Sequence, residues 1–330
     1  MARRLMVVFG RTSLTAAIAL AVGCHGRNDS PTAASATGAQ GKLSVESLRT
    51  SGPIVGATVK TALGASFTTD GEGSVVLPDT SVGRVVTIEA PLHYGPYRFT
   101  YAPDTKVRML PADTGMPASW IKEALFASND FQWMWRPEPG VMVVVPSAQL
   151  LNDEFSYEGL VEGIDILNRS HRHVRMVMKT EPAATDRVIT IRVNEAARGF
   201  ASTLISVTPG TATTIGATIE FSVVRLPNMH RALQRLHFIR AVAHELAHVA
   251  GINGHPPAIA GVSNGGIMWG AEPVQDFSQP EKDIMDWEFT LPPGTRPPAD
   301  TTQLPVAAKS IGAPAWHAVC SLGYDGTPIP

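Results

Sequence analysis

The segment from Arg240 to His255 constrains the fold more than any other part of this sequence. It reads Arg-Ala-Val-Ala-His-Glu-Leu-Ala-His-Val-Ala-Gly-Ile-Asn-Gly-His, and apolar residues recur through it at the spacing of an α-helix. Positions four apart share one face of a helix, so His244 and His248 present two imidazoles to a single ion. Glu245 lies further round the helix, where its carboxylate suits a general base better than a metal ligand. The segment therefore predicts a helix that carries two ligands of a metal ion.

The predicted helix extends from about Met229 to Ala250, and its apolar and charged residues fall on different faces. We expect an apolar face made of Leu233, Leu236, Val242, Leu246 and Val249. We expect a solvated face that carries Arg231, Arg235 and Arg240. Gly251 is the expected end of the helix, because glycine adopts the positive φ that lets a chain turn back sharply.

A catalytic zinc ion takes three protein ligands and keeps one position open, so the site requires a third ligand. The turn at Gly251 directs the chain back toward the two histidines, and His255 is the first candidate that follows. Zinc prefers imidazole, which favours His255 over an Asp, an Asn or a water molecule in that position.

The motif resembles that of the metzincin metallopeptidases, and of the matrixins in particular, in which H-E-x-x-H-x-x-G-x-x-H precedes a methionine turn beneath the metal. The matching residues are His244, Glu245, His248 and Gly251. The last position of the pattern falls on Gly254, and the histidine follows one residue later at His255. A loop bounded by glycine is compliant enough to bring this histidine to the ion.

Two later segments follow in the order that the resemblance implies. Gly265 to Trp269 resembles the methionine turn of matrixins, with Met268 as the apolar floor under the histidines. Phe277 to Trp287 resembles the closing helix of metzincins, with Ser278 as its N-cap and Glu281 completing a capping box.

The resemblance covers residues 116–291 and implies an α+β metzincin-like peptidase domain. It implies a zinc-dependent endopeptidase in which His244, His248 and His255 bind Zn²⁺ and Glu245 serves as general base and then general acid. Hydrophobic patterning predicts helices at 119–127 and 157–169, and strands at 141–145, 174–178, 188–193 and 217–224. A passage rich in Gly and Thr precedes the last of these strands.

Residues 43–111 have the pattern of a small all-β sandwich. Short β-type runs are predicted at 43–48, 57–61, 74–77, 85–89, 97–101 and 106–110. Gly56 to Val59 followed by Phe67 to Gly73 resembles the carboxypeptidase-regulatory-like or transthyretin-like domains of secreted bacterial proteins. In this resemblance the Asp70-Gly71 turn closes a hairpin, and the domain is a spacer or an adhesion module.

The first 23 residues have the pattern of an export signal, with an arginine-rich start and a short apolar run. Ala-Val-Gly-Cys, ending at Cys24, resembles a bacterial lipobox, which predicts lipidation of Cys24; an ordinary signal peptide cleaved nearby is the alternative. Residues 24–42 have the composition of a flexible tether. The chain is therefore expected at the bacterial cell envelope, held in the membrane by its lipid, or secreted.

The Pro-rich tail, residues 292–330, is expected to be an irregular wrap or partly disordered, without a catalytic pattern. If Cys24 carries a lipid, Cys320 has no disulfide partner in the mature chain and is most simply a buried small residue. A role for the Cys320 thiol in latency is a further hypothesis. The remaining histidines are expected to be surface or satisfied core residues: His93, His171, His173, His230, His237 and His317.

The charge balance excludes one class of partner. The chain has 27 Lys and Arg against 29 Asp and Glu, a formal net charge of −2, and no basic block. A nucleic-acid-binding protein needs a positive face to neutralise phosphates, so no nucleic-acid partner is expected. The expected partner is a protein or peptide substrate, and the expected state is a monomer.

Two alternatives to the metzincin interpretation remain open at the level of sequence. In gluzincin peptidases a Glu on a later helix is the third ligand, and Glu281 or Glu272 would be the candidate here. The chain is alternatively an adhesion or binding lipoprotein with a structural metal site. The presence of Glu245 argues against the latter, since a structural site has no use for a base.

Overall fold

A computed structural model describes residues 41–126, 134–197, 199–208, 212–225, 229–261, 265–269 and 276–291, and the backbone of 316–322. These residues form a mixed α/β structure with several sheets, and they belong to one compact unit, Ala39–Pro330. The predicted export signal, Cys24 and nearly all of the tether lie outside the described residues.

The first seven strands form two small sheets; six of them lie close to predicted positions, and the third is not predicted from the sequence. The strands are β1 (Lys42–Ser47), β2 (Thr58–Thr61), β3 (Ser66–Thr68), β4 (Ser74–Val76), β5 (Val85–Glu89), β6 (Tyr97–Thr100) and β7 (Lys106–Met109). One sheet has the order β4-β1-β7 and the other the order β3-β2-β5-β6. Alternate residues of both sheets, such as Val45 and Val59, are fully buried and belong to one hydrophobic cluster.

The prediction that the Asp70-Gly71 turn closes a hairpin is wrong. This turn joins β3 to β4, which belong to different sheets, so it carries the chain from one sheet to the other. The Asp70 carboxylate accepts hydrogen bonds from the backbone N–H groups of Glu72 and Ser74, both at 2.9 Å, which shapes the crossing. The hairpin here is β2 with β3, where Gly64 has a φ of +86°.

A larger sheet and five helices make up the rest of the described structure. The helices are α1 (Ala118–Phe126), α2 (Ala148–Leu151), α3 (Glu154–Ser170), α4 (Arg231–Ala250) and α5 (Gln279–Glu288). The strands are β8 (Arg136–Pro137), β9 (Gly140–Pro146), β10 (Val174–Met178), β11 (Val188–Val193), β12 (Ala201–Thr208), β13 (Thr213–Phe221) and β14 (Trp316–Leu322). The predicted bounds of β10 and β11 are confirmed residue for residue.

The large sheet has the order β10-β9-β11-β13-β12-β14, and β8 pairs with the start of β13. The four strands from β10 to β13 along this order are parallel, whereas β12 is antiparallel to both of its neighbours. Helix α3 lies between β9 and β10 in the chain and provides the crossover connection that this parallel pair requires.

One strand of this sheet is missing from the sequence predictions, another begins earlier than predicted, and a strand lies where an irregular tail is expected. The Gly/Thr-rich passage contains β12, whose alternate residues are buried while the others face outward, and β13 begins at Thr213 rather than at residue 217. The tail, expected to be irregular, supplies β14, which pairs with β12 along its whole length. Strand β12 is hard to recognise from sequence because its Ser and Thr residues are polar and suggest a loop, although the β-branched Thr fits a pleated surface.

Helix α4 is buried differently from the amphipathic prediction. Every residue from His237 to Ala250 is buried, because sheet strands, α3 and the loops after the helix cover all sides. Only the first turns reach solvent, where Leu233 is 49% exposed instead of facing the core. Arg240, predicted on a solvated face, is 3% exposed and donates a hydrogen bond to a buried carbonyl.

Glycines allow α3 to pack closely against α4. A Cβ added at Gly159 would lie 2.5 Å from Cδ1 of Phe238. A Cβ added at Gly163 would lie 2.6 Å from Cγ1 of Val242 and 2.9 Å from the carbonyl oxygen of Ile239. Because a backbone carbonyl cannot move aside like the end of a flexible side chain, Gly163 fixes the distance between the two helices.

Gly163→Ala is therefore expected to destabilise the protein, even though alanine is the better helix former by about 1 kcal/mol. Overpacking against Val242 costs about 1–3 kcal/mol, so a net loss of about 1 kcal/mol in the free energy of unfolding is expected by denaturant titration. Gly71→Ala is the matched control, because a Cβ there meets no atom within 4 Å. Equal stability of both variants would contradict this packing account.

Candidate metal centre

The three histidines predicted as ligands lie together. One ring nitrogen from each of His244, His248 and His255 falls within 4.8 Å of the corresponding atoms of the other two. Helix α4 places the first two on one face, and Gly251 ends the helix with a φ of +135°, so the chain returns toward them. His255 is brought to the cluster despite arriving one residue later than the metzincin pattern requires.

Hydrogen bonds fix which nitrogen of each α4 histidine faces the cluster. Nδ1 of His244 lies 2.9 Å from the carbonyl oxygen of Ile267, and Nδ1 of His248 lies 2.6 Å from that of Ile252. A carbonyl only accepts, so both Nδ1 atoms carry the proton and both Nε2 atoms present a lone pair. These two Nε2 atoms are 3.1 Å apart.

Two lone pairs at this distance repel each other unless a cation lies between them. Protonation of one ring is opposed by burial, which lowers the pKa of His244 and of His248 well below the ordinary value. Burial also lowers the pKa of His255 to about 4, so all three imidazoles are neutral near pH 7. Neutral imidazoles with fixed tautomers are the form that binds a metal.

The residues present fit a transition-metal ion. Two ligands of one tetrahedral zinc ion, each at about 2.0–2.1 Å, lie roughly 3.3 Å apart, close to the separation of the two Nε2 atoms. Imidazole also suits copper, iron and nickel, so the donor set alone does not select zinc.

The turn around Met268 holds His244 in place. The Ile267 carbonyl accepts from Nδ1 of His244 and also from Nη2 of Arg240, at 3.2 Å. The next N–H, that of Met268, donates to Oε1 of Glu281 at 2.8 Å, and the Met268 side chain is fully buried. Through this turn, Glu281 on α5 positions the carbonyl that orients a candidate ligand.

Glu281 does not lie with the histidines, as the gluzincin alternative would require. Its Oε2 accepts from the backbone N–H of Ser278 at 2.6 Å and from the Ser278 hydroxyl, which completes the predicted capping box on α5. A Cβ on Gly266 would lie 1.5 Å from this Oε2, so the turn passes directly over the carboxylate. The other gluzincin candidate, Glu272, lies outside the described residues.

Asn253 anchors the loop that carries His255. Its backbone N–H donates to the carbonyl of Ala124 at 2.8 Å, and its side-chain amide donates to that of Leu125 at 2.8 Å. The N–H of His255 lies 3.4 Å from Oε1 of Glu123. The loop that carries His255 is therefore tied to the end of α1.

Glu245 points toward the sheet beside the cluster. It is fully buried, and its Oε2 accepts a hydrogen bond of 2.5 Å from the hydroxyl of Thr203 on β12. Thr203 thus fixes one carboxylate oxygen of the candidate general base.

A second buried polar cluster lies behind the end of α4. Nδ1 of His171 accepts from the N–H groups of His173 and Val174, both at 3.2 Å, so its proton is on Nε2, which lies 3.8 Å from Oε1 of Glu288. The Glu288 carboxylate packs against Gly251, where a Cβ would lie 2.3 Å from Oε1. This proximity, with the positive φ, explains why the helix ends in glycine. His171 is a core residue, as expected.

Sequence reasoning missed two residues of this site, Thr203 and Asn253, and the contact of Glu281 with the Met268 turn. The sequence signals for these roles are weak. A Thr in a polar passage, an Asn before a glycine and a Glu that caps a helix are each explained by local structure alone. Cys320 lies opposite Thr203 in the register of β14 and β12.

Comparison with protein families and with curated proteins finds no match. Function must therefore be inferred from the residues themselves. Within the described parts of the chain, no helix combines the length and the apolar character needed to cross a bilayer.

Glu281→Ala is expected to weaken zinc binding without removing the site. Loss of a residue that orients a metal ligand typically costs about 10–100-fold in affinity, and the stoichiometry at saturating zinc should stay the same. Competition with a chelator measures the affinity. Asp283→Ala removes another α5 carboxylate, one bound to Arg49, and should bind zinc like the parent protein. Complete loss of zinc in Glu281→Ala would instead indicate a ligand.

His171 is expected to make the metal-free protein less stable in acid. Burial lowers the pKa of His171 from 6.5 to about 3, so the unfolded chain binds more protons and stability falls as the pH drops from 6.5 toward 3. His171→Asn keeps an acceptor for the two N–H groups and removes this titration, so the slope of unfolding free energy should flatten by up to about 1.4 kcal/mol per pH unit. Urea titrations in chelator, from pH 7.5 to 4, measure it; a parallel offset of the two curves would contradict the assignment.

Proposed function

We propose that this chain is a zinc-dependent metalloendopeptidase of the metzincin type, held at the bacterial cell envelope. The observation that carries the proposal is the fixed pair of facing Nε2 lone pairs of His244 and His248, joined by His255, beside the buried carboxylate of Glu245. A helix ended by glycine, a returning loop and a turn at Met268 support the metzincin type in particular.

Each residue has a separate part in the proposed hydrolysis. Zinc, when bound by the three imidazoles, would supply a Lewis acid that lowers the pKa of water toward neutrality and polarises the peptide carbonyl. Glu245 takes the proton of the attacking water and returns it to the leaving amine. Thr203 holds Oε2 of Glu245, which keeps the carboxylate in one orientation for both transfers.

The remaining parts of the chain have supporting roles in the proposal. The two small sheets of residues 43–111 form a β-sandwich spacer or adhesion module, and Arg49 on this part binds Asp283 on α5 at 2.6 Å. Lipidation of Cys24 anchors the chain to the membrane, and residues 24–42 tether it there. The substrate is a protein or peptide.

One observation favours a second candidate, a binding protein with a purely structural metal. His244, Glu245 and His248 have no exposed surface at all, as expected of a closed structural site. A structural site needs no base, however, and metal binding should then be the only property that depends on these residues.

Glu245→Gln separates the two candidates. Glutamine keeps the shape and an acceptor for Thr203 but loses the basic oxygen, so kcat on an unfolded protein substrate should fall about 10²–10⁴-fold while one zinc stays bound. Zinc is measured by atomic absorption, and cleavage by the release of new amino termini.

His255→Ala serves as the comparison, because removing a ligand should lower both zinc content and cleavage. Zinc bound equally by the parent and by Glu245→Gln, with no cleavage by either, would favour the structural site. Absence of zinc from the parent protein would refute both candidates.

A further inference from the structure

Strand β12 is paired on both edges. On one side β13 pairs with it from Ala201 opposite Phe221 onward, and on the other β14 pairs with it from Ala201 opposite Leu322 to Ser206 opposite Trp316. Without β14, the outer edge of β12 would present unpaired N–H and C=O groups. Such an edge is the general binding surface for an extended polypeptide, which adds to the sheet as a further strand.

The same strand reaches the candidate catalytic carboxylate. Thr203 in the middle of β12 donates its hydroxyl proton to the hydrogen bond with Glu245. The pairing of β12 with β14 is irregular between Thr203 and Leu204, and β14 also contacts α4. The backbone of the tail therefore passes beside the residue that binds the proposed base.

The candidate base and the two helical ligands are sealed off in this arrangement, and of the three histidines only His255 is partly exposed. An endopeptidase has to admit a polypeptide backbone to its base and metal ligands, yet Glu245, His244 and His248 are 0% exposed. Admission requires some element to leave. Strand β14 is at the end of the sheet and comes from the tail, so it can leave without breaking the order of the other strands.

We propose that β14 occupies the edge of β12 at which the polypeptide substrate pairs, so that the protein holds its own tail in the substrate position. This inference rests on the proposed function, because it assigns the binding edge of that site. The fitting partner is an extended polypeptide that pairs with Ala201–Ser206 through its backbone. Activity then depends on release of the tail.

A tethered strand competes strongly even when its own affinity is weak. A strand that belongs to the same chain as the edge it occupies has an effective concentration of order millimolar, far above that of a micromolar substrate. Release of β14 is therefore expected to raise kcat/KM at least about tenfold, chiefly through a lower KM. If β14 is instead a permanent structural strand, its release should lower stability without any increase in kcat/KM.

Ala318→Pro in the full chain tests the inference. Ala318 lies opposite Leu204, and proline lacks the N–H that strand pairing uses. Ala308→Pro, in the tail but outside β14, is the matched control. Three quantities are compared: zinc content, amide hydrogen exchange of Ser202–Ser206, and kcat/KM on an unfolded protein.

The expected result for Ala318→Pro is one bound zinc, faster exchange along β12 and at least tenfold higher kcat/KM, with Ala308→Pro unchanged. Adding Glu245→Gln to Ala318→Pro should abolish the gain. Faster exchange with unchanged cleavage would overturn the inference and leave the proposed function intact. Loss of zinc or of folding in Ala318→Pro alone would identify β14 as structural and overturn it too.

A second experiment avoids a folding defect. A specific protease site inserted after Ala308 allows the folded, zinc-loaded chain to be cut, diluted to release β14, and then mixed with a synthetic peptide of residues 314–324. The peptide should inhibit competitively, whereas a scrambled peptide should not. A cleavage rate that does not change when the peptide is added would overturn the inference. Zinc binding without cleavage by any form, cut or uncut, would refute the proposed function and the inference with it.

Discussion

Two backbone carbonyls, those of Ile252 and Ile267, orient the two α4 histidines of the candidate metal centre. By accepting from Nδ1 of His248 and His244, they leave two Nε2 lone pairs facing each other at 3.1 Å on fully buried residues. Such an arrangement is costly in an empty site and favourable around a cation. Much of the surrounding structure serves to hold those two carbonyls where they are.

Each carbonyl belongs to a segment that is fixed from outside α4. The turn with Ile267 is held by Glu281 on α5 and by Arg240, and the segment with Ile252 is held through Asn253 to the end of α1. Helix α4 is itself set against α3 at the distance that Gly163 allows. Elements from distant parts of the sequence thus converge on the orientation of two rings.

The sequence predicts well whatever depends on local spacing. His244, His248 and the end of their helix at Gly251 follow from helical periodicity and glycine chemistry, and most strands of the first two sheets follow from apolar alternation. It predicts poorly what depends on contacts between distant segments. The burial of Arg240, the sheet crossing at Asp70 and the strand character of the tail all require a partner that no local pattern reveals.

The unequal burial of the three histidines sets the order in which an ion would meet or leave them. His244 and His248 are fully buried, whereas His255 is only partly buried and belongs to a loop rather than a helix. A departing ion would therefore lose His255 first, and an arriving ion would meet it first. Exchange of an ion at this site would accordingly depend on the Asn253 anchor, which ties the loop of His255 to the end of α1.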